Sequence, residues 1–257
     1  MKPILFNIFS QNIPAWHFFY FLGAVSIYVS FAFFNKLSKN PLSRNSVIDF
    51  YILLYICSYV GARGFSAIMD EHSNSVYSFV LHMFALGPMT FYGGFILALI
   101  VGTAFVYIKK LDGLRVFDIS ILSVFIGLFF GRIGCFFNGD DYGAICDSGS
   151  ILNSMCIIFP NLKDNLFRYP VQLFEASAAM FIYIFGAYMQ SQFREGMTGF
   201  FCILLYSVSR FFLEFYRGDE RGHIIFERLS SAQTLSVGLL VVSLSGIYLL
   251  SKRSGTN

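Results

Sequence analysis

Seven long apolar runs, separated by short polar or charged stretches, set the rhythm of the chain. They lie near Ile13–Phe34, Val47–Ala62, Phe91–Ile108, Val116–Phe137, Val171–Met189, Gly199–Tyr216 and Gln233–Leu250. Each approaches the ~20 residues that an α-helix needs to cross a bilayer. None alternates strictly between apolar and polar, as a barrel strand does. A further apolar piece, Tyr77–Leu86, is too short to span and is predicted to lie at the interface or to re-enter. The first run is longer than the apolar part of a signal peptide. No small-x-small cleavage site follows it, so it is expected to stay in the chain. The pattern predicts an all-α integral membrane protein of seven transmembrane helices, forming one polytopic domain over residues 1–257. Only the loops 139–168 and 217–231 are long enough for structure outside the membrane.

Composition agrees. Hydrophobic residues make up 56% of the chain and charged ones 13%, against about 25% charged in soluble domains. The positions of the charges add an orientation. Lys36, Lys39 and Arg44 follow the first run, and Lys109, Lys110 and Arg115 follow the third. Arg194 follows the fifth, and Lys252 and Arg253 follow the seventh. These stretches alternate along the chain and fall on one side, which the positive-inside rule makes cytoplasmic. The N-terminus is then outside and the C-terminus inside. The remaining loops hold Asp70, Glu71, Asp140, Asp141, Asp147, Asp164, Asp219, Glu220 and Glu227. The net charge of +3 reflects this asymmetry and points to no nucleic-acid partner.

Five cysteines show no zinc-site spacing, and no metal or cofactor is expected. Cys57, Cys135 and Cys202 fall in spans, where a thiol is usually a small apolar filler. Cys146 and Cys156 share the 139–168 loop, where an oxidising compartment would allow a disulfide.

Ionisable groups inside spans cost roughly 2.5–3.5 kcal/mol each on insertion scales, so each needs a reason. Arg63 closes the second run, Arg132 lies near the end of the fourth, and Glu175 lies in the fifth. Arg210 and Glu214 lie in the sixth, four residues apart on one helix face. One reading is structural, with Glu175 pairing Arg63 or Arg132. The other notes that these three arginines outnumber the two glutamates. Arginine closes on phosphate with paired hydrogen bonds, so an excess of it suits a phosphate pocket facing the outer leaflet.

Glycines punctuate the same places. Gly131, Gly134, Gly139 and Gly143 run through GRIGCFFNGDDYG, beside Asn138, Asp140 and Asp141, which can bond freed backbone or a polyol. Gly93 and Gly94 open the third run, where they serve close helix packing or leave N–H groups for an anion.

These residues together resemble a known family. GRIGCFFNGDDYG resembles the G-R-x-G-N-F-x-N-x-E-x-x-G signature of the prolipoprotein diacylglyceryl transferases. MTFYGGFILAL resembles that family's M-S-F-H-G-G segment, and YPVQLFEA its H-P-S-Q-L-Y-E segment. SRFFLEFYRGDE resembles its F-R-x-x-x-E-F-x-R segment, and SSAQTLSV its S-M-G-Q-x-x-S segment. SYVGARG resembles a G-x-R element of its second span. The order agrees along essentially the whole chain.

The resemblance implies a bacterial cytoplasmic (inner) membrane enzyme that spans the bilayer several times. It would move the diacylglyceryl group of phosphatidylglycerol onto the lipobox cysteine thiol of prolipoproteins. Its partners would be phosphatidylglycerol, the prolipoprotein signal peptide and membrane lipid. Arg132, Arg210 and Tyr92 fall at positions implied to be catalytic. Arg63, Gly93, Gly94, Asn138, Asp140, Gly143, Gln172, Glu175 and Glu214 fall at positions implied to bind substrate. The chain departs from the family at four of these points. Tyr92 and Tyr169 stand where the family has histidine, Cys135 where it has asparagine, and Asp140 where it has glutamate. His17 and His82 are the nearby alternatives for a base. Two other readings fit the same residues: a diverged paralogue with this lipid pocket and another acceptor, and a non-catalytic lipid-binding membrane protein.

Overall fold

A computed structural model describes residues 4–8, 11–69, 79–80, 91–147, 149, 154–218, 223–225 and 229–252. Among them, seven long helices carry the fold: α1 (Ala15–Leu37), α2 (Arg44–Met69), α3 (Phe91–Ile108), α4 (Gly113–Asn138), α5 (Val171–Met189), α6 (Met197–Leu213) and α7 (Ser231–Lys252). Six are long and apolar enough to cross a membrane. The helix α3 is apolar over Tyr92–Ile108 and falls just short of that length. The chain is thus a multi-pass membrane protein. Tyr77–Leu86, apart from Phe79 and Val80, lies outside the described residues, as do His82, Arg253 and the acidic Asp70, Glu71, Asp219, Glu220 and Glu227.

Polar residues at the helix ends explain where helices start beyond the apolar runs. Ser43 Oγ accepts from the Ser46 N–H at 3.1 Å, so α2 begins three residues before Val47. Asp112 accepts from the Arg115 N–H at the start of α4. Ser230 and Gln233 form a reciprocal capping box at α7: each side chain accepts from the other's backbone N–H, at 3.2 and 3.1 Å. The start of α6 is capped from another helix. Buried Asp118 of α4 accepts from the N–H groups of Gly196 and Gly199, both at 2.6 Å.

Two compact units emerge, one formed by Met1–Phe33 with Phe117–Asn257 and the other by Phe34–Val116. In the second, α2 and α3 cross backbone against backbone. A Cβ placed on Gly93 would lie 2.3 Å from the Gly61 carbonyl oxygen, and one on Gly94 would lie 2.7 Å from that of Ser58. Packing is therefore what the structure gives the paired glycines. In the first unit, Phe125, Ala179, Ile182 and Cys202 form a buried cluster. Cys202 is the filler expected of it, and a Cβ on Gly186 would lie 2.6 Å from its sulfur.

Candidate functional site

The stretch that ends α4 builds a small platform. Gly139 leaves the helix at φ +84°, and a side chain there would collide with Asn161, whose amide donates to the Gly139 carbonyl at 2.7 Å. Asp141 follows at φ +58°. Residues 143–146 then run between two neighbouring segments. On one side the Gly143 N–H donates to the Tyr169 carbonyl (3.1 Å) and the Cys146 N–H to that of Phe167 (2.9 Å). On the other the Ala144 N–H donates to the Tyr216 carbonyl (2.8 Å) and the Gly218 N–H to that of Tyr142 (3.2 Å). Gly143 has no room for a side chain, since a Cβ would lie 2.3 Å from the Tyr169 carbonyl oxygen. A disulfide joins Cys146 to Cys156 and ties the 139–168 loop to this platform. Beyond it Asp164 accepts from Arg168 Nη2 at 2.6 Å and from the Leu166 N–H at 3.1 Å. The hydrogen bond from Arg168 is the main cause that holds the Asp164 carboxyl below the usual carboxylate range.

Against the platform the ends of three helices bring together a dense ionic cluster. Glu175 of α5 sits at its centre. Its Oε1 lies 2.5 Å from Arg210 Nη1, and its Oε2 lies 2.6 Å from Arg132 Nε. Arg210 also reaches Glu214 Oε2 at 2.9 Å. Glu214 Oε1 in turn accepts from the Ser230 hydroxyl at 2.7 Å, which joins the cluster to the capping box of α7. Asp141 bridges two arginines, with Oδ2 2.6 Å from Arg132 Nη1 and Oδ1 2.6 Å from Arg217 Nη2. Arg217 Nη1 lies 3.6 Å from Glu175 Oε1.

The cluster differs from the sequence expectation in its charge. Arg132, Arg210 and Arg217 face Asp141, Glu175 and Glu214, so three positive groups meet three negative ones. Among the described residues, no arginine excess remains in it. Of the two partners open to Glu175, the structure shows Arg132, together with Arg210. Exposure is uneven. The side chains of Arg217, Glu175, Glu214 and Arg210 are 2–7% exposed, whereas Arg132 is 18% and Asp141 27%. The cluster therefore has an open edge at Arg132 and Asp141.

The expected polar residues gather at Asp140, next to Asp141 in the chain. Asn138 donates to the Asp140 carboxylate at 2.9 Å, and buried Gln172 donates to the Asp140 carbonyl at 2.6 Å. Gln172 Oε1 has no hydrogen-bond partner although it is removed from solvent. Cys135 lies one turn after Arg132 near the end of α4 and is half-buried. Buried Tyr169 accepts from the Asp147 N–H through its hydroxyl at 3.4 Å.

Arg63, Tyr92, Gly93 and Gly94 belong to the second unit. Arg63 lies inside α2, six residues before its end, and is 1% exposed. It does not close the helix, as the hydropathy pattern suggested. Tyr92 lies in the first turn of α3 and is 39% exposed. His17 is exposed on α1.

Sequence reasoning passed over Arg217 and Ser230 as site residues, and gave Asp141 only freed backbone or a polyol to bond, not the arginines. A signal for Arg217 was present, because it holds the last arginine of the SRFFLEFYRGDE segment matched to F-R-x-x-x-E-F-x-R. Ser230 was marked by its capping-box spacing to Gln233.

Comparison with known proteins bears on the same chain. The family model described as prolipoprotein diacylglyceryl transferase matches residues 3–249. The phosphatidylglycerol–prolipoprotein diacylglyceryl transferase of Ehrlichia canis (strain Jake) is 30% identical to it, over 97% of this chain and 95% of the relative. Those of Rickettsia bellii (strain OSU 85-389) and Helicobacter hepaticus are each 28% identical, over 98% and 95% of this chain and 95% and 87% of theirs.

Proposed function

The chain belongs to the prolipoprotein diacylglyceryl transferase family, and from that premise we propose how its ionic cluster serves the transfer. The enzyme moves the diacylglyceryl group of phosphatidylglycerol onto the lipobox cysteine of a prolipoprotein. The thiolate sulfur attacks the glycerol carbon that carries the phosphate ester. The carbon–sulfur bond forms, the carbon–oxygen bond breaks, and glycerol phosphate leaves with one additional negative charge. The thiol proton passes to solvent or to the leaving phosphate.

That charge is what the site must stabilise. Arg132 and Arg210 hold the phosphate and meet the charge as it develops. Their guanidinium groups are pre-set by Glu175, which accepts from Arg210 and forms an ion pair with Arg132. Preset donors cost no reorganisation when the bond breaks. Glu214 and Ser230 fix Arg210 from the far side. The same positive charge favours thiolate over thiol in an approaching cysteine. At the open edge Asn138, Asp140 and Gln172 face the glycerol headgroup. The unpartnered Gln172 Oε1 is an acceptor suited to a hydroxyl, and buried acceptors are seldom left unused. Gly143 holds the platform that carries them. The single observation that carries this reading is the bridging of Arg132 and Arg210 by Glu175 beside an open edge. Arg63, Tyr92, Gly93 and Gly94 stay candidates through the resemblance.

Seven spans, with the N-terminus outside and the C-terminus in the cytoplasm, fit the lysine and arginine pattern. The cluster then faces the outer half of the bacterial inner membrane. There the signal peptide of an exported prolipoprotein and the lipid donor meet. The Cys146–Cys156 disulfide supports an oxidising surrounding for the 139–168 loop. The test is a transfer assay. Purified protein is mixed with phosphatidylglycerol and a lipobox peptide, and the peptide mass is followed. A diacylglyceryl adduct on the cysteine is expected, and its absence with folded protein overturns the reading.

A further inference from the structure

We propose that the Asp141 carboxylate occupies the Arg132 side of the phosphate position between turnovers, held there by Arg132 and Arg217, and yields it to the lipid headgroup, so that Asp141 sets the affinity for the anionic donor. The proposal rests on the transferase reading above.

The geometry is that of a bound anion. Asp141 lays one oxygen on Arg132 Nη1 and the other on Arg217 Nη2, each at 2.6 Å. A phosphodiester offers the same chemistry, one negative charge shared by two oxygens, and arginine pairs close on either. The exchange is matched in charge. Among the described residues, with Asp141 in place the cluster holds three arginines and three carboxylates. A phosphodiester monoanion in its place preserves that neutrality.

Asp141 is also the member able to leave. Glu175 and Glu214 are 5% and 6% exposed, so a displaced glutamate would remain buried without its partner, which is costly. Asp141 is 27% exposed and sits on the turn beyond the end of α4. Once displaced, it reaches water. Arg132, one of the arginines it pairs with, is the most exposed of the three, so the anion exchanges at the open edge. Nor is Asp141 the acid of the family signature. That position is held by Asp140, whose carboxylate accepts from Asn138 and whose carbonyl accepts from Gln172. Asp141 is a second acid at this turn.

A ligand that must first displace an internal group has its affinity reduced by the fraction of time that the site stands open. Two substitutions test this and suit the left-handed backbone of residue 141, namely Asp141→Asn and Asp141→Gly. Kinetics in nanodiscs, with phosphatidylglycerol diluted in phosphatidylcholine, give KM and kcat. Calorimetry on the same protein gives the affinity for free glycerol phosphate. If Asp141 fills the site for about nine-tenths of the time, both variants lower KM and tighten glycerol phosphate binding about tenfold. Asp141→Glu keeps the competitor and stays close to the parent, and Asp140→Asn does not tighten binding. A purely structural Asp141 gives the opposite sign, because a loosened turn raises KM. Unchanged or weakened binding in both Asp141 variants overturns the proposal. Failure of the parent to transfer lipid overturns the function instead. The calorimetry then still decides the role of Asp141, because it needs no turnover.

Discussion

Arg210 donates to Glu175 at 2.5 Å between helices α6 and α5, and both side chains are almost wholly removed from solvent. In a span this pair has little use as glue alone, since a well-packed apolar pair would hold the helices as well. The account assigns it to positioning, with Glu175 holding Arg210 and Arg132 where a leaving phosphate needs them.

Arg132→Ala and Arg210→Ala are each expected to lower the transfer rate about 10²–10³-fold, the loss of one donor to a developing oxyanion. Lysine at either position restores only part, because it keeps the charge without the paired donors. Rate measurements on variants that elute as folded protein check this. Parent-like rates in both alanine variants would leave the cluster with a structural role only.

Removing the shared carboxylate has a different signature. Glu175→Ala leaves Arg132 and Arg210 with fewer partners in a buried place. Breaking a buried pair from one side costs about 3–5 kcal/mol. Thermal unfolding in detergent is expected to shift downward clearly for Glu175→Ala and much less for Asp140→Ala, whose residue lies exposed at the edge.

The platform depends on Gly143. Gly143→Ala is expected to reduce activity and stability together, since its Cβ would lie 2.3 Å from the Tyr169 carbonyl oxygen. Gly131→Ala serves as the control, because no atom lies within 4 Å of its added Cβ. Equal behaviour of the two would contradict the close approach.

Cys146 and Cys156 are expected to resist an impermeant maleimide in intact cells until a reductant is added, and then to label from outside. Labelling without reduction argues against the bond. Labelling only after the membrane is opened argues against the orientation. Reduction is also expected to lower stability by about 2–4 kcal/mol, mostly by freeing the unfolded chain.

Tyr92 stands where the family has histidine. Tyr92→Phe is expected to slow transfer about 10–150-fold, the worth of one hydrogen bond to a charged group. Tyr92→His is expected to retain or raise transfer to a lipobox cysteine. If the histidine variant gives no transfer while the parent does, the tyrosine belongs to a different handling of the acceptor thiol.

Much of the fold was legible because membrane spans declare themselves by length and apolarity. The seven runs match seven helices to within a few residues at most ends. The largest difference is α2, which runs over Arg44–Met69 rather than Val47–Ala62. Ser43 caps its polar start, and helix packing carries Arg63 inside it, neither of which hydropathy registers. The site was legible residue by residue but not as a set. Spacing alone paired Arg210 with Glu214. It could not choose between Arg63 and Arg132 as the partner of Glu175, because that contact joins residues more than 40 positions apart. The pairing of Asp141 with the arginines escaped because the signature pointed to its neighbour. Only the left-handed turn at 139–141 decides which of the two carboxylates meets the arginines.

The most direct measurement follows glycerol phosphate released from headgroup-labelled phosphatidylglycerol, with peptides whose lipobox residue is cysteine or serine. The account predicts release equal to the thioether formed, with cysteine only, and its loss in Arg132→Ala and Arg210→Ala while the proteins stay folded. Release that ignores the cysteine, or that proceeds at the parent rate without either arginine, would contradict it.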